Sequence, residues 1–270
     1  MRLTILGTGT ARPVGDSPQS GVLVESGETR ILFDIGSGVA SQVEARMNAA
    51  DLNGLVVGHF HADHWIDIGP LRYRFLWGEP SPNPLPVFLP PGGREKLTHL
   101  AAAINERPTF FEDAFAITEY ETDLRIEIGG FVIVPHAVGH YVPAWSMDIT
   151  GPGGERVVYA GDMGPSEMVV DLARGADLLI LEATLVDGAL DDARRGHIDT
   201  GEAIDHVRRS GVLQGLLVHY HSERRATIAA QCADSGLPVE PAVPGMVVDV
   251  ERGNVRIAGR PAGYETVRTG

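Results

Sequence analysis

The chain has 270 residues, 43% of them hydrophobic and 21% charged, with no low-complexity tract. That length allows one large domain or two small ones, and the composition excludes a disordered or fibrous chain. The net charge of −14, from 36 acidic against 22 basic side chains with Lys96 the one lysine, disfavours structured RNA as a partner.

In chain order, residues 2–6 read as a short strand that turns out through Gly7-Thr8-Gly9-Thr10. Residues 22–26 and 29–34 read as a hairpin turning at Gly27, and a helix follows over Ser37 to Met47. The apolar run Leu52 to Gly58 is predicted as a buried strand ending at a glycine. Gly69-Pro70 opens a short helix to Trp77, with proline in its first turn. Pro80, Pro82, Pro84, Pro86, Pro90 and Pro91 mark residues 78–92 as a surface excursion holding a strand at 87–89. A helix over Arg94 to Asn105 leads into an aromatic stretch at 107–120. There the stretch holding Phe110, Phe111, Phe115 and Tyr120 is read as a lid or pocket wall, with ordinary core packing as the competing reading for any one ring.

Further strands are predicted at 124–128, 131–135, 156–160, 177–181 and 215–218. Helices are predicted at 165–175, at 200–210, and from a Ser222 cap to about Ser235, with 246–258 closing the sheet. Cys232, the one cysteine, falls inside the last helix as a buried, inert thiol, so neither a disulfide framework nor a thiolate cluster is expected. No basic-then-apolar leader is read at the N-terminus. The longest apolar candidate for a span, Leu178 to Val186, is interrupted by Glu182. A cytoplasmic protein with no membrane partner is expected.

The densest chemistry is His59-Phe60-His61-Ala62-Asp63-His64, directly after the strand ending at Gly58. In an extended segment side chains alternate faces, so His59 and His61 point the same way and can grip one ion. Asp63 and His64 lie where the backbone turns and can offer an oxygen and a nitrogen to a second. Imidazole and carboxylate without thiolate suit two divalent metal ions, zinc ahead of manganese or iron.

These six residues match H-x-H-x-D-H, the signature of the metallo-β-lactamase superfamily, and on them the chain resembles that family. The opening Met1 to Thr10 resembles the start of its ribonuclease Z and phosphodiesterase branch, and the resemblance runs from Met1 to about Val250. It implies an α/β protein: an αββα sandwich of two mixed sheets flanked by helices, with metals at one edge, expected as a single domain over 1–270. It also implies further ligands, position by position. Of His136 and His140, His140 is preferred because Val142-Pro143-Ala144-Trp145-Ser146 resembles the family's following segment. His136 is then a pocket residue or exposed. Asp162, in Tyr159-Ala160-Gly161-Asp162, matches the aspartate between the two metals. His219 ends the late strand Leu216-Leu217-Val218, which leaves His221 either behind the ligands or in the pocket. His59, His61 and His140 would hold one metal, and Asp63, His64 and His219 the other. Asp34 is either a brace behind these histidines, as the resemblance implies, or a helix cap.

Two ions about 3.5–4 Å apart can share a hydroxide at neutral pH, which would attack a phosphodiester in a small-molecule substrate. Leu181-Glu182-Ala183-Thr184 and His197 resemble the glutamate and histidine that lie beside the scissile phosphate in the ribonuclease Z branch. Asp63, Glu182 and His197 are thus the catalytic candidates. His197-Ile198-Asp199-Thr200 is one residue longer than the branch's His-x-Thr, and no long Gly/Pro-rich arm with flanking basic residues is found. Small-molecule hydrolysis is favoured over tRNA for that reason. The competing readings are a carboxylic or sulfuric ester or lactone hydrolase on the same metals, and a metal-binding sensor or scaffold. A homodimer is an expectation from the resemblance alone.

Overall fold

The computed structural model describes residues 1–15, 17–77, 84–191 and 193–263. Alternation along the strands sets its layers. In β1 (Arg2–Gly7), Leu3 and Ile5 enter one core and Leu6 the opposite one. In β2 (Gly21–Ser26), Val22 and Val24 part from Leu23 in the same way, and in β3 (Thr29–Phe33), Ile31 and Phe33 part from Leu32. Strands apolar on both faces require cover on both faces.

The sheet continues in parallel through β4 (Gly54–Val56), β5 (Leu85–Leu89) and β6 (Phe115–Glu119). The next strands, β7 (Ile126–Ile128), β8 (Phe131–Val138), β9 (Ala144–Thr150), β10 (Arg156–Tyr159), β11 (Leu178–Glu182), β12 (Gln214–Val218) and β13 (Val239–Pro241), form a second sheet in reverse spatial order. The chain then returns to the first sheet as β14 (Val247–Glu251) and β15 (Asn254–Gly259), beside β1. Both sheets are mixed, and their facing surfaces share one core. Helices α1 (Val39–Glu44), α2 (Ala62–Trp65), α3 (Ile68–Trp77) and α4 (Gly93–Ala103) accompany the first sheet, and α5 (Glu167–Ala173), α6 (Thr200–Ser210) and α7 (Arg225–Asp234) the second. Val43, Leu71 and Leu97 fill the outer core of the first sheet, and Val169, Ile204 and Ile228 that of the second. The expected αββα sandwich is the fold.

Several local expectations change. The strand read at 52–58 is reduced to Gly54–Val56, since Leu52 closes a 3-10 turn at Ala49–Asp51. Asp63 and His64 sit in the one-turn helix α2 rather than a turn. The helix read from Pro165 begins at Glu167, because the Ser166 hydroxyl accepts the Val169 N–H as its cap. Ser222 caps nothing: its hydroxyl donates to Val14, and α7 starts after a 3-10 turn. Phe110, Phe111 and Phe115 are core residues beneath the first sheet, and Tyr120 is buried between the sheets, so the 107–120 stretch is no lid. The strands β6, β9 and β13 have no counterpart in the sequence reading. Of the proline-rich excursion, 78–83 lies outside the described residues. Cys232 is buried as expected, and burial pushes its thiol up to about 12. Among the described residues, no helix is long and apolar enough to cross a membrane.

Candidate metal centre

Strands of both sheets end at one edge, and the loops leaving those ends carry the chemistry. His59 makes a single bridge to Ala144 just past β4, and His61 is extended, so both rings reach the same cluster. The first turn of α2 presents Asp63 and His64. His140 comes from the loop between β8 and β9, Asp162 from the end of β10, Glu182 from the end of β11, and His219 from the end of β12.

The structure gathers these residues into overlapping groups. His59, His61, His140 and Asp162 form one; Asp63, His64, Asp162 and His219 form a second; Glu182, His197 and His219 a third. Within each group the nitrogen and oxygen atoms lie within 4.8 Å of one another. Asp162 belongs to both of the first two. His136 lies elsewhere, paired with Asp123 at 3.0 Å. His221 turns Nδ1 to the Thr10 hydroxyl at 3.1 Å, outside these groups.

Hydrogen bonds from behind fix which ring nitrogen faces the cluster. His64 Nδ1 lies 2.7 Å from Asp34 Oδ2, and Tyr159 donates to the same oxygen at 2.7 Å. Asp34 Oδ1 accepts the Gly58 N–H at 2.7 Å, so the aspartate braces His64 and caps no helix. A carboxylate in this place only accepts, so His64 presents its Nε2 lone pair to Asp162 Oδ1, 3.2 Å away. The Thr184 hydroxyl donates to Glu182 Oε2 at 2.5 Å and accepts from His219 Nδ1 at 2.8 Å. His219 Nε2 is thereby aimed at Asp63 Oδ2 (3.0 Å) and Asp162 Oδ2 (3.4 Å). His140 Nδ1 donates to the Gly196 carbonyl at 2.6 Å, leaving Nε2 3.0 Å from His61 Nδ1.

The result is a convergence of acceptor atoms with too few protons among them. His59 Nε2 and Asp162 Oδ1 are buried and make no hydrogen bond. Such orphaned buried atoms are costly unless a cation lies between them. Desolvation holds His59 well below the ordinary histidine value and His140 down to about 4, which keeps both imidazoles neutral, the form a metal ligates. His64 is opposite. Burial pulls it down, yet the charges of Asp162 and Asp34 raise it well above the usual value, so this nitrogen takes a proton or a metal. The donor set fits divalent ions that accept imidazole and carboxylate.

His197 and Glu182 meet as expected. Nδ1 lies 2.9 and 3.0 Å from the two carboxylate oxygens, and Glu182 also accepts the Met163 and Ile198 N–H groups. Burial pulls His197 down, but the Glu182 bond and charge lift it to about 9; desolvation raises the fully buried Glu182. Asp34 and His219 both sit at positive φ (58° and 50°), an uncommon backbone that marks strand ends bent to aim a side chain. Sequence reading missed Thr184 and Tyr159 as braces. Thr184 at least lay inside the Glu-Ala-Thr element, whereas nothing local marks Tyr159.

The sequence profile of the Beta-lactamase superfamily domain matches residues 29–220. A probable metallo-hydrolase of Bacillus subtilis, YhfI, is 28% identical over 222 residues, covering 81% of this chain and 86% of its own. Its crystal structure superposes with a TM-score of 0.78 at 25% identity, over 91% of this chain and 98% of that one. A ribonuclease Z of Halorubrum lacusprofundi is 28% identical over 274 residues, covering 84% and 88%. The short form of human tRNase Z has the same fold, with a TM-score of 0.74 at 22% identity over 93% and 99% of the two chains.

Proposed function

The chain belongs to the β-lactamase superfamily and has its metallo-hydrolase fold, and from that membership we propose a hydrolase with a binuclear metal centre that cleaves a phosphodiester-type bond in a small substrate. One observation carries the reading: two groups of nitrogen and oxygen donors at a single sheet edge share Asp162. We assign His59, His61 and His140 to one ion, Asp63, His64 and His219 to the other, and Asp162 to both. Divalent ions bound there, zinc first, would bring water's pKa to about 7 and polarise the oxygen on which charge develops.

The chain's own residues supply the rest. The Asp34–His64 and Thr184–His219 bonds hold each imidazole in one tautomer, so no rotamer search precedes reaction. Glu182 keeps His197 charged, with Nδ1–H on the carboxylate and Nε2–H left to meet a substrate oxygen or protonate a leaving group. Asp63 Oδ2, 3.0 Å from His219 Nε2, would offer the same ion a carboxylate oxygen beside that imidazole nitrogen.

Elemental analysis of the purified protein should find close to two transition-metal ions per chain, and at most one after reconstitution would overturn the assignment. A panel of bis(p-nitrophenyl) phosphate, aryl carboxylic and sulfuric esters, lactones and precursor tRNA then sorts the substrate class. Fastest turnover on the phosphodiester is expected. The −14 charge speaks for a small substrate. The relatives named ribonuclease Z speak for RNA, so specific 3′ processing of precursor tRNA at physiological salt would replace the small-substrate reading. Equal absence of turnover by the metal-loaded protein would leave a sensor. We extend the proposal to one domain, a homodimer and cytoplasmic residence, checked by limited proteolysis, light scattering and fractionation.

A further inference from the structure

Two loops meet over the His140 side of the centre, and their contact is more constructed than packing alone requires. Tyr141, next to His140, donates its hydroxyl to Asp191 Oδ1. Asp191 Oδ2 accepts the N–H groups of Gly196 (2.9 Å) and His197 (3.4 Å), and its side chain is only 6% exposed. The carbonyl of that same Gly196 receives His140 Nδ1–H at 2.6 Å. Hydrogen bonds therefore run from Tyr141 through Asp191 and the Gly196 backbone to the neighbouring His140.

Steric detail agrees. A Cβ on Gly196 would lie 2.5 Å from the Tyr141 ring, and one on Gly164 would lie 1.9 Å from the Arg195 carbonyl oxygen. Arg195 and Gly196 are thus seated between the Tyr141 ring and the segment that follows Asp162. Arg195 holds its far side through Glu202, with both carboxylate oxygens at 2.7 Å.

We propose that Tyr141 and Asp191 are positioning residues: a clasp that fixes the Gly196 peptide so that His140 presents Nε2 to its metal while the His197 backbone is held in the same grip. A backbone carbonyl orients an imidazole only as well as the loop carrying it is held, and the other ring nitrogen inherits that precision. This inference rests on the metal reading for its meaning in catalysis, but the clasp itself can be tested without metal.

The experiment uses ¹⁵N-labelled full-length protein, wild type, Tyr141→Phe and Asp191→Asn. Long-range ¹H–¹⁵N imidazole spectra of metal-free samples at neutral pH should show His140 as one Nδ1–H tautomer in the wild type and as a mixture in both variants. Cobalt(II) titration should then show two ions in the wild type. In each variant one ion should bind about tenfold or more weakly, within the usual 10–100-fold range for such braces, and the other should be unchanged. The double variant should be no weaker than the worse single one, because both act through one hydrogen bond. A single His140 tautomer with unaltered cobalt affinity in both variants would overturn the clasp. Wild-type protein that binds no cobalt would sink the metal reading, while the spectra would still decide the clasp. Should Asp191→Asn fail to fold, Tyr141→Phe decides alone, since it removes one oxygen and leaves the ring on Gly196.

Discussion

The two donor groups that share Asp162, the halves of the proposed metal centre, are built from different material. His64 and His219 are nearly buried, and each is braced by a side chain: an aspartate that also takes Tyr159 and the Gly58 N–H, and a threonine tied to Glu182. His61 and His140 are half-buried. His140 hangs on a backbone carbonyl, and His61 Nδ1 faces His140 Nε2. A carboxylate behind an imidazole raises its basicity and fixes its orientation more firmly than a carbonyl on a loop. Rigidity here follows from strand ends and side-chain braces, so the Asp63–His64–His219 position is expected to hold its ion more tightly than the other.

Removing the shared residue tests the comparison most severely. Asp162→Ala takes an oxygen from both ions, and activity is expected to fall roughly 10³-fold, the upper end for loss of one preorganised charge. Loss should be felt in both halves, measured as metal content and kcat together. Near-normal turnover would break the assignment.

His197→Ala comes next. It should keep both ions yet lose roughly 10²-fold on a substrate with a poor leaving group, and far less on an activated nitrophenyl one. Equal losses on both substrates, or loss of metal, would make the Glu182–His197 pair structural. The pH dependence has a definite sign. His197 stands at about 9 against an ordinary 6.5, so the stabilisation from its ion pair is complete below about 6.5 and is lost as pH rises through about 9. Bound cations oppose the charged ring, so the basic limb of the rate profile is expected at or below that value, and it should disappear in His197→Ala.

Asp34→Asn sharpens the contrast between the halves. It keeps the shape but weakens the brace on His64, and affinity for one ion is expected to drop 10–100-fold. Metal titration should show that the looser ion is spared. If both ions weaken equally, the two halves are one coupled unit and the contrast is wrong.

How much of this was legible in the sequence follows from range. His59 to His64 are contiguous, and metal chemistry demands a dense local pattern of donors, so the donors that this run gives to both groups read directly. His140, Asp162 and His219 each end or follow a strand, and it took a family pattern to choose among histidines. The braces were beyond reach. Tyr159 meets Asp34 across 125 positions, and an inward tyrosine on an apolar strand looks like any core residue until both sheets are stacked. The 107–120 rings misled for the converse reason: aromatic density signals burial, but not whether a core or a pocket does the burying. The strand β9 was hidden because its start lies in the segment read for its ligand histidine.

The smallest effect belongs to the other histidine of that segment. His136 and His140 are four residues apart, and the sequence offered both as the third ligand. In β8 the His136 side chain points away from the centre to Asp123, 3.0 Å off, while the strand's continuation beyond Val138 carries His140 into it. Its partner is 72% exposed, so the pair lies in water and contributes at most about 1 kcal/mol. His136→Ala is therefore expected to leave metal content unchanged and kcat/KM within about twofold, with thermal stability shifted by no more than a surface pair allows. His140→Ala, in the loop that follows β8, should weaken the looser ion. A His136 variant that loses metal, beside a His140 variant that does not, would reverse the assignment and with it the contrast between the two halves.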